Sequence, residues 1–270
     1  SMSWGFDLMH DVLVSPDAAE KARFALGHSA RLITDAQCSA AQAVQLGFDP
    51  EKICIFPWGV DLAHFTPTAA RVRGTVWRER YGWGDKRVLL CLRSWEPNYG
   101  VDVLLRAFVE AAQKDDSLRL ILLSDGSQHE ELLAILKEGN VNDKVFLGGR
   151  VPNQDLISFF GAADIYVTPS HVDGSSVSLM EAMACGLPVI ASDIPANAEW
   201  IAEGQTGWLF TDGNHHALAE LLLQIPSFNL SSVGKRARKV AEKRADWRQN
   251  KQLLFRCWEQ ALTSSKGGSQ

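Results

Sequence analysis

Apolar residues along this chain follow two alternating spacings, and the alternation predicts an α/β protein. From residue 86 onward, short runs rich in Val, Ile and Leu are separated by stretches in which apolar residues recur at every third or fourth position. Strands that are connected through single helices form a parallel sheet with helices on both faces. The predicted strands cover residues 87–92, 118–124, 144–147, 165–168, 189–190 and 207–210, and the predicted helices cover 100–113, 128–138, 153–162, 196–203 and 214–224.

Residues 1–66 contain too few elements for a complete domain. The predicted helices there cover 17–28 and 39–45, and the predicted strands cover 31–34 and 52–56. The stretch 66–84 is rich in Arg, Gly and Thr and is the only linker-like segment of the sequence. The tail 233–262 is predicted to be helical, and one of its faces is predicted to pack down through Trp247, Leu254, Phe255 and Trp258.

The strongest candidate for chemistry lies between residues 166 and 200. A strand ends there in a turn, and a glycine with two serines opens a helix. The unpaired amides of such a turn and the positive end of the helix dipole form an anion site. These amides belong to Gly174, Ser175, Ser176 and Val177.

Two carboxylates flank this predicted anion site. Asp173 precedes the helix, and Glu181 follows eight residues later. Each could accept hydrogen bonds from hydroxyls beside the anion, and a nucleoside diphosphate sugar carries ribose and hexose hydroxyls on either side of its pyrophosphate. The simpler interpretation is that Asp173 and Ser175 only cap a helix.

Asp173, the seven residues GSSVSLM, Glu181 and the run AMACGLPV resemble the donor-site motif of family 4 glycosyltransferases of the GT-B fold. The usual first acid of the family is glutamate, so Asp173 is one methylene shorter than expected. Residues 52–67 resemble the end of the family's N-terminal domain and its linker. The matching residues there are Lys52, Ile53, Ile55, Pro57, Gly59, Val60, Asp61, Phe65 and Pro67.

The resemblance implies two Rossmann-like units that face a cleft. Residues 1–66 would be a remnant of the N-terminal acceptor-side domain with its linker, residues 67–232 the donor-binding domain, and residues 233–270 a C-terminal helix that returns toward the N-terminal segment. The last residues, 267–270, are expected to be a disordered tail. Most of the acceptor domain would then be missing upstream.

The resemblance also implies a function: retaining transfer of a hexose from a UDP or GDP sugar to a hydroxyl acceptor that the sequence does not identify. Asp173 would hold sugar hydroxyls, Glu181 the ribose hydroxyls, and Arg93 the pyrophosphate, which makes Asp173 and Arg93 the predicted catalytic residues. Tyr99 stands where many members of the family carry a lysine, so it brings no charge. Further predicted donor-binding residues are Gly126, Arg150, Val151 and His171.

Composition removes other classes of function. The net charge is −5, and no basic stripe or apolar run of membrane-spanning length occurs, so neither nucleic acid nor a transmembrane segment is expected. The five cysteines are scattered, which predicts buried thiols in a reducing, cytoplasmic compartment, with association at the inner face of a membrane left open. No Asp-x-Asp motif stands in a suitable loop, so no metal or other cofactor is expected.

Three alternatives are weighed against the transferase. The chain could be a non-catalytic half that only binds a nucleotide sugar. A nicotinamide dehydrogenase is disfavoured because no Gly-x-Gly-x-x-Gly follows the strand at 87–92. An epimerase or phosphorylase would share the GT-B fold, and only the acid motif speaks against it.

Overall fold

The computed structural model describes residues 1–266, and in that range it contains two parallel sheets flanked by helices. The predicted tail 267–270 lies outside the described residues. The smaller sheet belongs to the N-terminal segment, residues 1–60, and has the order β1-β2-β3. The elements of this segment are β1 (Met2–Ser3), a π-helical turn (Asp7–Asp11), α1 (Val12–Val14), α2 (Pro16–Gly27), β2 (Leu32–Thr34), α3 (Gln37–Gln45), a 3₁₀ turn (Pro50–Lys52) and β3 (Ile53–Ile55).

The larger sheet carries the order β6-β5-β4-β7-β8-β9, and all of its strand pairs are parallel. The order along the chain breaks between β4 and β7, which are neighbours although they are distant in sequence. The loops that follow two such strands diverge to opposite sides of the sheet, which leaves a crevice at the carboxyl ends of the strands. Ligands of open α/β sheets bind in this crevice. The strands are β4 (Arg87–Cys91), β5 (Leu118–Leu123), β6 (Val145–Gly149), β7 (Ile165–Thr168), β8 (Val189–Ser192) and β9 (Gly207–Phe210).

Helices cover both faces of the larger sheet. They are α4 (Pro67–Tyr81), α5 (Val101–Lys114), α6 (His129–Glu138), α7 (Leu156–Ala162), α8 (Val177–Ala184), α9 (Pro195–Ala198), α10 (His215–Gln224) and α11 (Leu230–Arg244), followed by α12 (Trp247–Lys266). Short 3₁₀ turns lie at Pro97–Tyr99, Asn142–Lys144, Asn153–Asp155 and Ile225–Ser227. Because successive residues of a strand point to opposite faces, Leu89 enters one core with α5 and α10, and Leu90 enters the other with α7 and α8.

The predicted linker was wrong, because residues 67–81 form the helix α4. Thr66 caps its start by accepting the amide of Ala69 at 3.2 Å, and Gly82 ends it with a φ of 67°. A Cβ on Gly74 would lie 1.9 Å from the carbonyl carbon of Gly161 in α7. Close contact through glycines therefore holds α4 on α7. Because this contact uses glycine and not large apolar side chains, the sequence of α4 shows only a weak apolar pattern.

The C-terminal tail forms two helices, and α12 packs against the N-terminal segment. Leu254 joins Ile33 and Phe56 in a small buried cluster. Phe255 and Trp258, predicted to pack down, are instead 47% and 44% exposed, because the packed face of α12 is centred on Leu254 and Cys257. Among the described helices, none combines the length and the apolar character that crossing a bilayer requires.

The prediction that all five cysteines are free thiols was wrong. Cys54 at β3 and Cys257 in α12 form a disulfide, with Cα atoms 6.2 Å apart across 203 residues of sequence. Only the return of α12 to the smaller sheet brings the two cysteines together, and no spacing in the sequence could reveal this. The remaining cysteines, Cys38, Cys91 and Cys185, are free.

Candidate functional site

A cavity of about 390 Å³ lies where the loops after β4 and β7 meet the N-terminal segment. Seven of the predicted site residues line it together: Arg93, Tyr99, Asp173, Ser175, Ser176, Val177 and Glu181. An adjoining cavity of about 410 Å³ shares Trp58, Asn153 and Glu181 with the first. A larger cavity, about 840 Å³, lies between α4, α7 and α11, and none of the predicted site residues lines it.

Arg93 leaves the end of β4 and connects the acidic turn to the start of α8. Its side chain is 11% exposed and forms an ion pair of 2.9 Å with Asp173, while its Nη1 donates to the Ser176 hydroxyl at 2.9 Å. The guanidinium also lies over the ring of Tyr99, 4.1 Å from the centroid. Tyr99 thus positions the arginine through its ring face, a cation–π contact that the sequence did not predict.

The turn before α8 carries the carboxylate that was predicted to hold a sugar. Asp173 Oδ1 accepts the amide of Gly174 at 3.0 Å. Burial raises the pKa of Asp173 above that of a free aspartate, although Arg93 and this amide both act to lower it. Proximity to the arginine and the helix start gives the turn a fixed geometry.

The amides at this helix start were predicted to be free, and two of the four are not. Gly174 donates to Asp173, and the amide of Ser175 donates to Asp35 Oδ2 at 3.0 Å. Within the described residues, the amides of Ser176 and Val177 make no hydrogen bond. The free part of the anion site therefore begins at Ser176, beside the guanidinium of Arg93.

Glu181 lies in the second turn of α8 and is only 4% exposed. Its Oε1 accepts the side-chain amide of Asn153 at 2.8 Å. Burial raises the pKa of Glu181 to about 7, and the hydrogen bond from Asn153 opposes that rise. A carboxylate with so few partners at the wall of a cavity can accept hydrogen bonds from the hydroxyls of a ligand.

Five predicted donor-binding residues do not line this cavity. Gly174 lies directly behind its wall, beneath Trp4 and Asp35. Gly126 packs against the backbone of Trp95, and Val151 packs against the core on the α7 side of the sheet. The other two are Arg150, which is exposed, and His171, which pairs with Asp212 at 2.7 Å.

Seven residues that line the cavity were missed: Trp4, Asp35, Trp58, Leu92, Asn153, Leu156 and Ser178. Asp35 directly follows the strand β2, and a polar residue at the carboxyl end of a parallel strand is a signal that could have found it. Trp4 and Trp58 contact each other with ring centroids 4.6 Å apart. They could not be found by periodicity, because both lie outside regular elements.

A possible set of metal ligands lies elsewhere on the surface. Glu110 in α5 and the adjacent His215 and His216 in α10 place their ligand atoms within 4.8 Å of one another. Glu110 is already bound by His216 at 2.7 Å and by Lys114 at 3.0 Å. None of these residues lines the cavity beside Arg93.

Comparison with known families shows which family the chain belongs to. A family model described as Glycosyl transferases group 1 matches residues 75–252, which is more than half of the chain and includes Arg93, Asp173 and Glu181. The chain belongs to this family. The match begins inside α4 and ends inside α12, so it covers the whole of the larger sheet.

Individual proteins that are similar in sequence to this chain carry the names of glycosyltransferases. It is 29% identical over 245 residues to the D-inositol 3-phosphate glycosyltransferase of Acidothermus cellulolyticus, covering 80% of this chain and 53% of that protein. It is 32% identical over 159 residues to the GDP-mannose-dependent alpha-(1-6)-phosphatidylinositol monomannoside mannosyltransferase of Mycolicibacterium smegmatis, covering 56% of this chain and 41% of that protein. The chain spans about half the length of the relatives it matches.

Solved structures confirm the predicted fold class. Anabaena Alr3699/HepE in complex with UDP has a TM-score of 0.80 at 21% identity, covering 93% of this chain and 70% of that one. Sucrose-phosphate synthase from Thermosynechococcus elongatus has a TM-score of 0.81 at 20% identity, covering 96% of this chain and 65% of that one. The fold is therefore that of GT-B glycosyltransferases.

Proposed function

We propose that this chain is the donor-binding part of a family 4, retaining glycosyltransferase that moves a hexose from a UDP or GDP sugar to a hydroxyl acceptor. The observation that carries the proposal is the convergence of Arg93, the free amides of Ser176 and Val177, and two largely buried carboxylates on one cavity. That set matches the chemistry of a nucleoside diphosphate sugar, with an anion between two groups of hydroxyls. The names of the two relatives above describe transfer of sugars to inositol derivatives, which supports a role in glycoconjugate synthesis.

The dominant chemical need is to stabilise the leaving pyrophosphate. When the bond between the anomeric carbon and the phosphate oxygen breaks, negative charge grows on the departing nucleoside diphosphate. Arg93 and the start of α8 supply fixed positive charge and N–H donors in a largely buried setting, where their effect on a developing charge is strong. No step of this scheme draws on a metal ion or another cofactor.

The two carboxylates would position the rest of the donor. Asp173 is held in place by Arg93 and by the Gly174 amide, and its carboxylate would accept the hydroxyls of the hexose. Glu181 lies on the side shared with the adjoining cavity, where it would accept the ribose hydroxyls. In the retaining reaction, the acceptor would approach from the side of the leaving group, through the cavity that the N-terminal segment helps to line.

A second function is favoured by one observation, the coverage of only about half of each relative. A chain with the donor site and little of the acceptor side could bind nucleotide sugars without transferring them. Binding and turnover separate the two proposals.

The test combines titration with a turnover assay. The protein is titrated with UDP, GDP and their hexose conjugates in a calorimeter, and release of the nucleoside diphosphate is followed with the same donors. Asp173→Ala should abolish turnover and leave nucleoside diphosphate binding within a few-fold, because Arg93 keeps Ser176 and Tyr99 as partners. The control Asp193→Ala removes an exposed acid after β8 that does not line the cavity.

Three results decide the matter. Binding with turnover that depends on Asp173 supports the transferase. Binding without turnover in the wild-type chain supports the donor-binding half. If no nucleoside diphosphate or nucleotide sugar binds, both proposals are wrong.

A further inference from the structure

Asp35 crosses from the N-terminal segment to the turn before α8 and occupies one of its amides. Asp35 is 3% exposed, and its Oδ2 accepts the amide of Ser175 at 3.0 Å. The backbone carbonyl of Asp35 also accepts the Ser175 hydroxyl at 2.5 Å. The other carboxylate oxygen, Oδ1, is buried and has no hydrogen-bond partner among the described residues.

The surroundings of the Asp35 carboxylate disfavour its negative charge. Burial raises the pKa of Asp35 to about 6, and the nearby Asp173 and Glu199 add to the rise. In the described part of the chain, Asp35 forms no ion pair, so it has no cation to offset the cost of removing the charge from water. The amide at the start of α8 is therefore its principal compensation.

Glycines make this approach possible. A Cβ on Gly174 would lie 2.7 Å from both carboxylate oxygens of Asp35, and a Cβ on Gly5 would lie 2.7 Å from the nitrogen of Gly174. Any larger residue at Gly174 would push the carboxylate out of the turn. The same lack of side chains is what a phosphate needs in order to approach a backbone amide.

We propose that Asp35 is an internal anion that competes with the nucleoside diphosphate of the donor for the start of α8. The proposal rests on the proposed function, since it assigns a regulator to the same site. Donor binding at the free amides of Ser176 and Val177 then works against the contact of the Asp35 carboxylate with the neighbouring Ser175 amide, because the two negative groups repel each other. Release of that contact also loosens the N-terminal segment from the turn, which couples donor binding to the position of the acceptor side.

Glu199 offers a matched control for this contact. Glu199 follows α9 on the donor side. Its two carboxylate oxygens accept the backbone amides of Gln37 and Cys38 in the N-terminal segment at 3.0 and 2.8 Å. Glu199 does not line the cavity beside Arg93. Removing its charge perturbs the boundary between the two parts to a similar degree, without freeing an amide of the donor site.

The experiment compares three proteins by calorimetric titration with UDP and with GDP. Asp35→Asn removes the charge and keeps the shape, and it should bind the preferred nucleoside diphosphate about tenfold more tightly than wild type, because the negative group that repels the pyrophosphate is gone. Glu199→Gln should bind with wild-type affinity. Asp35→Ala, which also removes the hydrogen bond, should bind at least as tightly as Asp35→Asn and serves as the test if the asparagine variant fails to fold.

The outcomes separate this inference from the proposed function. If wild type binds a nucleoside diphosphate and both Asp35 variants bind it equally or more weakly, the inference is overturned and the donor site stands. If Glu199→Gln gains as much affinity as Asp35→Asn, loosening of the boundary explains the gain, and competition for the amide is refuted. If none of the proteins binds UDP or GDP, the proposed function has failed and the inference with it.

Discussion

The buried carboxyl of Glu181 makes the stability of this protein depend on pH in a way that one substitution can isolate. Glu181 is 4% exposed, and burial raises its pKa from 4.5 to about 7. The folded state therefore holds a proton on Glu181 between these pH values that the unfolded state has already lost. Stability falls as the pH rises through this window, and above it the ionised group costs the folded state about 3 kcal/mol, at about 1.4 kcal/mol per pKa unit.

Glu181→Gln removes this cost, because a glutamine cannot ionise. Relative to wild type, the variant should gain about 2.5 kcal/mol of unfolding free energy between about pH 5 and about pH 8. Urea unfolding followed by tryptophan fluorescence at each pH measures the difference. The exposed Glu138→Gln controls for the loss of one negative charge. A difference between Glu181→Gln and wild type that stays constant with pH would refute the conclusion that Glu181 is a buried carboxyl with a raised pKa.

Two further predictions concern the scaffold. Reduction of the Cys54–Cys257 disulfide should lower the unfolding free energy by about 2–4 kcal/mol, measured as a lower thermal midpoint in reductant. A variant with serine at both positions should not respond to reductant, and a response would contradict this prediction. Gly161→Ala should destabilise by about 1–3 kcal/mol or more in urea unfolding, because its Cβ would lie 1.7 Å from the carbonyl oxygen of Ala70. Gly84→Ala, which has open space, is the control, and equal midpoints for the two variants would show that the close contact does not exist.

Much of the larger sheet could be predicted because its elements repeat one local pattern. The strands β7 and β9 match their predicted bounds, and the others differ by a few residues. The helix α4 was missed because it packs through Gly74 and Ala70 and not through an apolar stripe, although Thr66, Pro67 and Gly82 are recognisable cap signals. Local chemistry at helix ends was therefore more informative than hydrophobic periodicity in this stretch.

In the candidate site, too, local sequence signals were predictive and long-range packing contacts were not. Arg93, Ser176 and Glu181 were predicted because a motif and the ends of neighbouring strands place them together. The contact of Asp35 with Ser175 was not predictable, since it joins residues 140 positions apart through packing between two units. The disulfide of α12 has the same origin, and both contacts depend on how the N-terminal segment lies against the donor side.

The most direct test of the central claim is a calorimetric titration of nucleoside diphosphates into wild type, Arg93→Ala and Arg150→Ala. Arg93 lines the cavity and bonds Ser176, whereas the exposed Arg150 does not line it. Loss of Arg93 should weaken binding by about 1.5–3 kcal/mol, roughly 10- to 150-fold, and loss of Arg150 should leave it unchanged. Equal affinities for wild type and Arg93→Ala would contradict the claim that the donor's pyrophosphate binds between Arg93 and the start of α8.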